Sequence, residues 1–147
     1  MGQVIVDNLD GELSVDDFLK DNLCHFHAAM IELGLGDPEN FNLEYLQHLV
    51  ELGALLCPVL YDGKNVGALM LSSSCDLWDC NKGVINVAAY IKPEYRGQNV
   101  LLKALNYIKC RIHEEVLEQY HFVFRFNVHH TKKPLGRVVD QVCELDF

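Results

Sequence analysis

The sequence predicts an α/β fold, a mixed β-sheet flanked by helices, and three observations predict it. Apolar residues recur at three- and four-residue steps at Val15, Phe18, Leu19, Leu23, Phe26, Met30 and Leu33, which marks one face of a helix. From Ala54 the pattern changes to strand-like apolar runs, Ala54–Tyr61 and Val66–Ser73, on either side of Asp62-Gly63-Lys64-Asn65. Asp-Gly supplies the positive φ of a tight turn, so these runs form a hairpin. Third, a strand–helix–strand unit between Val84 and Val128 implies a parallel pair with a right-handed crossover.

Each element follows from local chemistry. Val4–Val6 reads as a first edge strand. Ser14 caps the first helix through its hydroxyl, with Asp17 three residues on, close to a capping box. Gly34 stops that helix and Asp37-Pro38 makes a turn. Asn42 caps a second helix with Leu43, Leu46, Leu49 and Val50 inward and Gly53 at its end. A polar loop holding Trp78 follows the hairpin, and Val84–Ile91 is a long strand that Pro93 ends. A helix is expected from about Gln98 to about Glu118, burying Leu101, Ala104, Leu105, Ile108 and Ile112. Phe122, Phe124, Phe126 and Val128 alternate with His121, Val123, Arg125 and Asn127 as a strand does. Pro134 opens a short last helix through about Val142. The expected order is β-α-α-β-β-β-α-β-α. No repeat or linker divides the chain, so residues 1–147 are read as a single domain.

Composition narrows the class. The chain is 147 residues long, 50% hydrophobic and 22% charged, the mix of a soluble globular domain. No apolar run approaches the ~20 residues of a membrane span, and the acidic N-terminus does not read as a signal peptide. The expectation is a cytoplasmic protein with no membrane partner. The six cysteines are scattered without a C-x-x-C pair, so they read as free buried thiols and no metal is expected. Net charge is −9 and uneven: residues 1–63 carry one basic side chain, Lys20, against twelve acidic ones. That balance argues against nucleic acid as a partner and suits either a cationic substrate or a solvated acidic surface.

The chemically informative stretch is Tyr90-Ile91-Lys92-Pro93-Glu94-Tyr95-Arg96-Gly97-Gln98-Asn99-Val100-Leu101. It runs from a strand end through a turn into a helix start, where free N–H groups and the helix dipole favour an anion. Tyr-Ile-Lys-Pro-Glu-Tyr-Arg-Gly resembles the strand-to-helix signature of the GNAT superfamily of N-acetyltransferases, and the order of elements over about residues 1–130 is similar too. In that family a Q/R-x-x-G-x-G/A run binds the pyrophosphate of acetyl-coenzyme A. Its first position falls on Arg96, and its glycine positions fall on Asn99 and Leu101, both departures.

The resemblance implies acetyl transfer from acetyl-CoA, as co-substrate, to an amine of a small molecule or protein. It places the pyrophosphate on Arg96, Gly97, Gln98, Asn99, Val100 and Leu101, the pantetheine arm along Ala89, Tyr90 and Ile91, and Asn127 near the thioester. The family's glutamate base position falls near Ile85 and Asn86, neither a base, and residues 131–139 hold no tyrosine to act as acid. His129 and His130, at the mouth of the cleft, are the remaining candidates for proton transfer alongside Asn127, since histidine titrates near neutral pH. His25 and His27, in the first helix, read as surface or core residues. Relative to the family the chain is short at its C-terminus, which leaves the Phe122–Val128 edge to a homodimer, a protein partner or the C-terminal tail. The alternative function is a non-catalytic GNAT-like structural or protein-binding module, of the compact kind that phages carry.

Overall fold

The computed structural model describes residues 2–115, 121–129, 132–133, 136–137 and 140–146, with side chains described at 2–111 and 123–126. Strand β1 (Val4–Val6) leads to helix α1 (Val15–Leu33), a 3₁₀ turn at Pro38–Asn40 and helix α2 (Leu43–Glu51). Strands β2 (Leu55–Tyr61), β3 (Lys64–Cys75) and β4 (Lys82–Ile91) follow. A 3₁₀ turn at Pro93–Gln98 then leads into helix α3 (Val100–Glu115) and strand β5 (His121–His129). Two short strands, β6 (Lys132–Lys133) and β7 (Gly136–Arg137), precede β8 (Asp140–Asp146).

The caps expected from sequence form. Ser14 Oγ accepts from Asp17 N at 3.1 Å, and Asn42 Oδ1 accepts from Tyr45 N at 3.0 Å. Gly34 closes α1 in the left-handed conformation, φ 64°. Asp62 and Gly63 turn the β2–β3 hairpin with φ of 50° and 82°, both positive as a type I′ turn requires.

Six strands make one mixed sheet in the order β1-β2-β3-β4-β5-β8. β4 and β5 are the expected parallel neighbours, from Lys82↔His121 to Val87↔Phe126, and the other pairs in this sheet are antiparallel. On one face, α3 packs Val100, Ala104, Leu105 and Ile108 against Val59, Leu69, Leu71, Ile85 and Val87. On the other, α1 and α2 pack Phe18 and Leu46 against Leu56 and Ala68.

Four expectations need correction. The last helix is not formed: Lys132–Lys133, Gly136–Arg137 and Asp140–Asp146 are strands. β8 pairs antiparallel with β5 from Val123↔Asp146 to His129↔Asp140, so that edge of β5 is covered by the chain itself. An unpaired edge of that length is a strong tertiary pull, and it outweighs the weak helical pattern around Pro134. The α3 helix starts at Val100 rather than Gln98, because Asn99 takes a left-handed conformation, φ 58°, after the 3₁₀ turn. Val100 fills the core position assigned to Leu101, which is only half-buried. Leu43, expected inward on α2, is exposed. The expected residues 116–118 of α3, and the side chain of Ile112, lie outside what is described.

Candidate functional site

The site grows from a divergence in the sheet. The β4–β5 register ends at Val87↔Phe126, yet β4 continues to Ile91 and β5 to His129. Past that point β4 pairs with β3 (Ala88↔Met70 to Ile91↔Gly67) and β5 with β8. The two strands part, and Ala88 and Ala89 stand exposed at the opening.

A cavity of about 640 Å³ occupies this opening. Its walls are Ala89, Tyr90 and Ile91 of β4, Arg96 of the turn, Asn99 to Leu102 and Leu105 of α3, Phe126 of β5, and Ala29, Glu32 and Leu33 of α1. Of the residues the sequence singled out for the cofactor, Ala89, Tyr90, Ile91, Arg96, Asn99, Val100 and Leu101 therefore meet in one cleft. Gly97 and Gln98 sit in the adjoining 3₁₀ turn, both exposed. Asn127 and His129 fall in β5 beyond the divergence, with side chains outside the described set, and His130 lies outside the described residues.

The helix end of the cleft presents the first amides of α3. The α3 ladder opens with Lys103 N donating to Asn99 O at 2.9 Å. The amides of Val100, Leu101 and Leu102 lie ahead of that bond, where an α-helix provides no carbonyl for them. Leu101 rests partly against the core beneath and partly lines the cleft.

Arg96 is held on three sides. Its Nε donates to Ile91 O at 2.8 Å, and its guanidinium lies over the Tyr90 ring, 5.3 Å from the centroid. The two terminal nitrogens fork onto the Glu32 carboxylate, Nη1 to Oε1 and Nη2 to Oε2, the latter at 2.7 Å. The Arg96 hydrogen bond holds the Glu32 carboxyl below the usual carboxylate range, and the bond to Glu32 holds the guanidinium above its own ordinary value. Both side chains are about two-fifths exposed, 41% and 40%, so the pair is screened by water and contributes little to stability.

Tyr90 is packed on its other side as well. His25 of α1 lies 5.6 Å from the Tyr90 ring and is only 3% exposed. Its Nε2 is 2.6 Å from Asn65 Oδ1, Asn65 Nδ2 donates to Asn22 Oδ1 at 2.9 Å, and Asn22 Nδ2 donates to Phe18 O at 2.8 Å. His25 is thus a satisfied core histidine, and His27 packs edge-on to Phe41. The sequence did not point to Glu32: it lies 64 residues from Arg96, and no local spacing reports so distant a pair.

A splayed parallel pair, a strand-to-helix turn at its mouth and helices on both faces are the GNAT acyl-CoA N-acyltransferase fold, here in a divergent form. Solved structures of acetyltransferases share it. A ribosomal-protein-alanine N-acetyltransferase from Brucella melitensis biovar Abortus 2308 superposes with TM-score 0.56 at 14% identity, over 87% of this chain and 80% of the other. An aminoglycoside acetyltransferase from an uncultured soil metagenomic sample, solved with sisomicin, gives 0.55 at 15% identity over 86% and 77%. A GCN5-related N-acetyltransferase from Ralstonia eutropha JMP134 gives 0.52 at 13% over 84% and 82%. No family model matches the sequence, and no curated protein sequence matches it. No helix among the described residues is long and apolar enough to cross a membrane.

Proposed function

We propose that residues 1–147 act as one N-acetyltransferase domain that takes acetyl-CoA as co-substrate and acetylates an amine of a small molecule or protein. The observation that carries this reading is the end of the β4–β5 register at Val87↔Phe126, which opens the sheet onto a cavity reaching the start of α3. The residues at the opening fit an extended pantetheine arm: two exposed alanines leave room, and the unpaired backbone offers hydrogen bonds. Of the amides expected from Gly97 to Leu101, those of Val100 and Leu101 stand at the positive end of α3 and would hold the pyrophosphate, with Gly97, Gln98 and Asn99 in the adjoining turn. Bound acetyl-CoA supplies an activated thioester. The chain would orient the acceptor amine against that carbonyl, take up the proton the amine loses, and return one to the leaving thiolate. Asn127, His129 and His130 are the candidates for this end of the cleft.

Similarity to acetyltransferases of different acceptors supports the chemistry and leaves the acceptor class broad. A second reading, a non-catalytic GNAT-like binding module, is favoured by one observation: the Arg96 fork is already taken by Glu32. Titration calorimetry and thermal shift with coenzyme A separate the two. A cofactor-using enzyme gains about 2.7 kcal/mol of stability at a hundredfold excess over the dissociation constant, and releases free thiol from acetyl-CoA when given an amine. No binding at millimolar coenzyme A removes the enzyme reading.

A further inference from the structure

The Glu32–Arg96 pair lies inside the proposed cofactor cleft, and its geometry is not that of a simple brace. Arg96 does not need Glu32 to be placed: Ile91 O holds Nε at 2.8 Å and the Tyr90 ring lies under the guanidinium. Tyr90 is in turn fixed by packing against the buried His25. Glu32 takes the edge that remains, the two terminal nitrogens in fork geometry. That edge is the one a phosphate would use, since carboxylate and phosphate oxygens match the same pair of donors. Both side chains line the cavity.

We infer that Glu32 is an internal competitor for the anion site of the cleft: its carboxylate occupies the Arg96 donors that a coenzyme phosphate takes, and a ligand binds by exchanging one anion for the other. The inference rests on the acetyl-CoA reading above. The exchange is accessible. Glu32 is about two-fifths exposed and stands in the last turn of α1, just before Gly34. Its side chain can rotate into water with no backbone change. While it stays in place, it both blocks the fork and repels a second anion. Glu32 thus sets how tightly the cleft takes phosphorylated ligands while leaving their unphosphorylated parts alone.

The test is calorimetry with coenzyme A and with pantetheine on the wild-type chain, Glu32→Gln and Arg96→Ala. Glutamine keeps the size of Glu32 and removes its charge. The expected result is coenzyme A affinity raised roughly tenfold in Glu32→Gln, the scale of one exposed charge pair plus one relieved repulsion. Arg96→Ala should weaken coenzyme A, and Glu32→Gln should leave pantetheine binding unchanged. Thermal melts of both variants confirm that each is folded. If Glu32→Gln binds coenzyme A no better than wild type, or shifts pantetheine equally, the competitor role is overturned while the cofactor reading stands. If neither wild type nor Glu32→Gln binds coenzyme A at millimolar concentration, both fall together.

Discussion

At the residue scale, the signals that proved readable were those written in a few neighbouring positions. Ser14, Asn42 and Asp62-Gly63 each act through backbone groups within three residues, so the local sequence contains the whole interaction. Leu101 shows the limit. A left-handed Asn99 rotates the start of α3, and Val100 rather than Leu101 turns into the core at 1% exposure. Cysteine burial was readable only in part: Cys57 is fully buried, while Cys24, Cys75, Cys80 and Cys110 are exposed. Burial, reinforced by Asp7 and Asp10, pushes the Cys57 thiol up to about 12 from an ordinary value near 9.0. The folded protein therefore keeps a proton that the unfolded chain releases. The stability linked to Cys57 is fully present below about pH 9 and falls as pH rises toward 12. Denaturant melts across that window should show a loss that Cys57→Ala flattens. At neutral pH a thiol reagent should label Cys24, Cys75, Cys80 and Cys110 quickly and Cys57 only at the rate of unfolding.

At the scale of elements, α1, the hairpin and the β4–α3–β5 crossover were legible because each carries a strong period of its own. β8 was not. Its residues, Asp140-Gln141-Val142-Cys143-Glu144-Leu145-Asp146, have too little apolar alternation to announce a strand. They become one because β5 offers a complete unpaired edge, and that edge is a tertiary fact. The consequence is testable. Removing residues 140–147 should expose the β5 edge, with its run of Phe122, Phe124 and Phe126. The truncated chain should melt roughly 8 °C or more below the full one, corresponding to a loss of about 2–3 kcal/mol. It should also scatter light at concentrations where the full chain stays clear. A truncated chain with unchanged melting and no association would show that β8 contributes little to the sheet.

At the scale of the whole molecule, the helices of the two parts of the chain lie on opposite faces of the sheet. α1 and α2 come from the acidic part of the chain and cover one face, while α3, with Lys103, Lys109 and Arg111, covers the other. The cleft lies between them, with Glu32 from α1 and Arg96 from the turn before α3. The cleft residues on β4 and α3 were legible because a single continuous segment builds that wall. The wall from α1 was not, because it arrives from 64 residues away.

The parting of β4 and β5 gives the molecule an unusual internal clock. By its place in the order β1-β2-β3-β4-β5-β8, β4 is a central strand, and central strands normally protect every amide. From Ala88 to Ile91 its only strand partner is β3, and the Ile91 carbonyl takes Arg96 Nε. Alternate amides there point into the opening, and they should trade their hydrogens for deuterium like those of an edge strand, orders of magnitude faster than Val84 to Val87 beside them. Deuterium uptake read residue by residue would show a strand protected at one end and porous at the other. Filling the opening with a ligand whose backbone-like amides take the place of β5 should slow the porous end alone. A uniformly protected β4 in the free protein would mean that the sheet closes in solution.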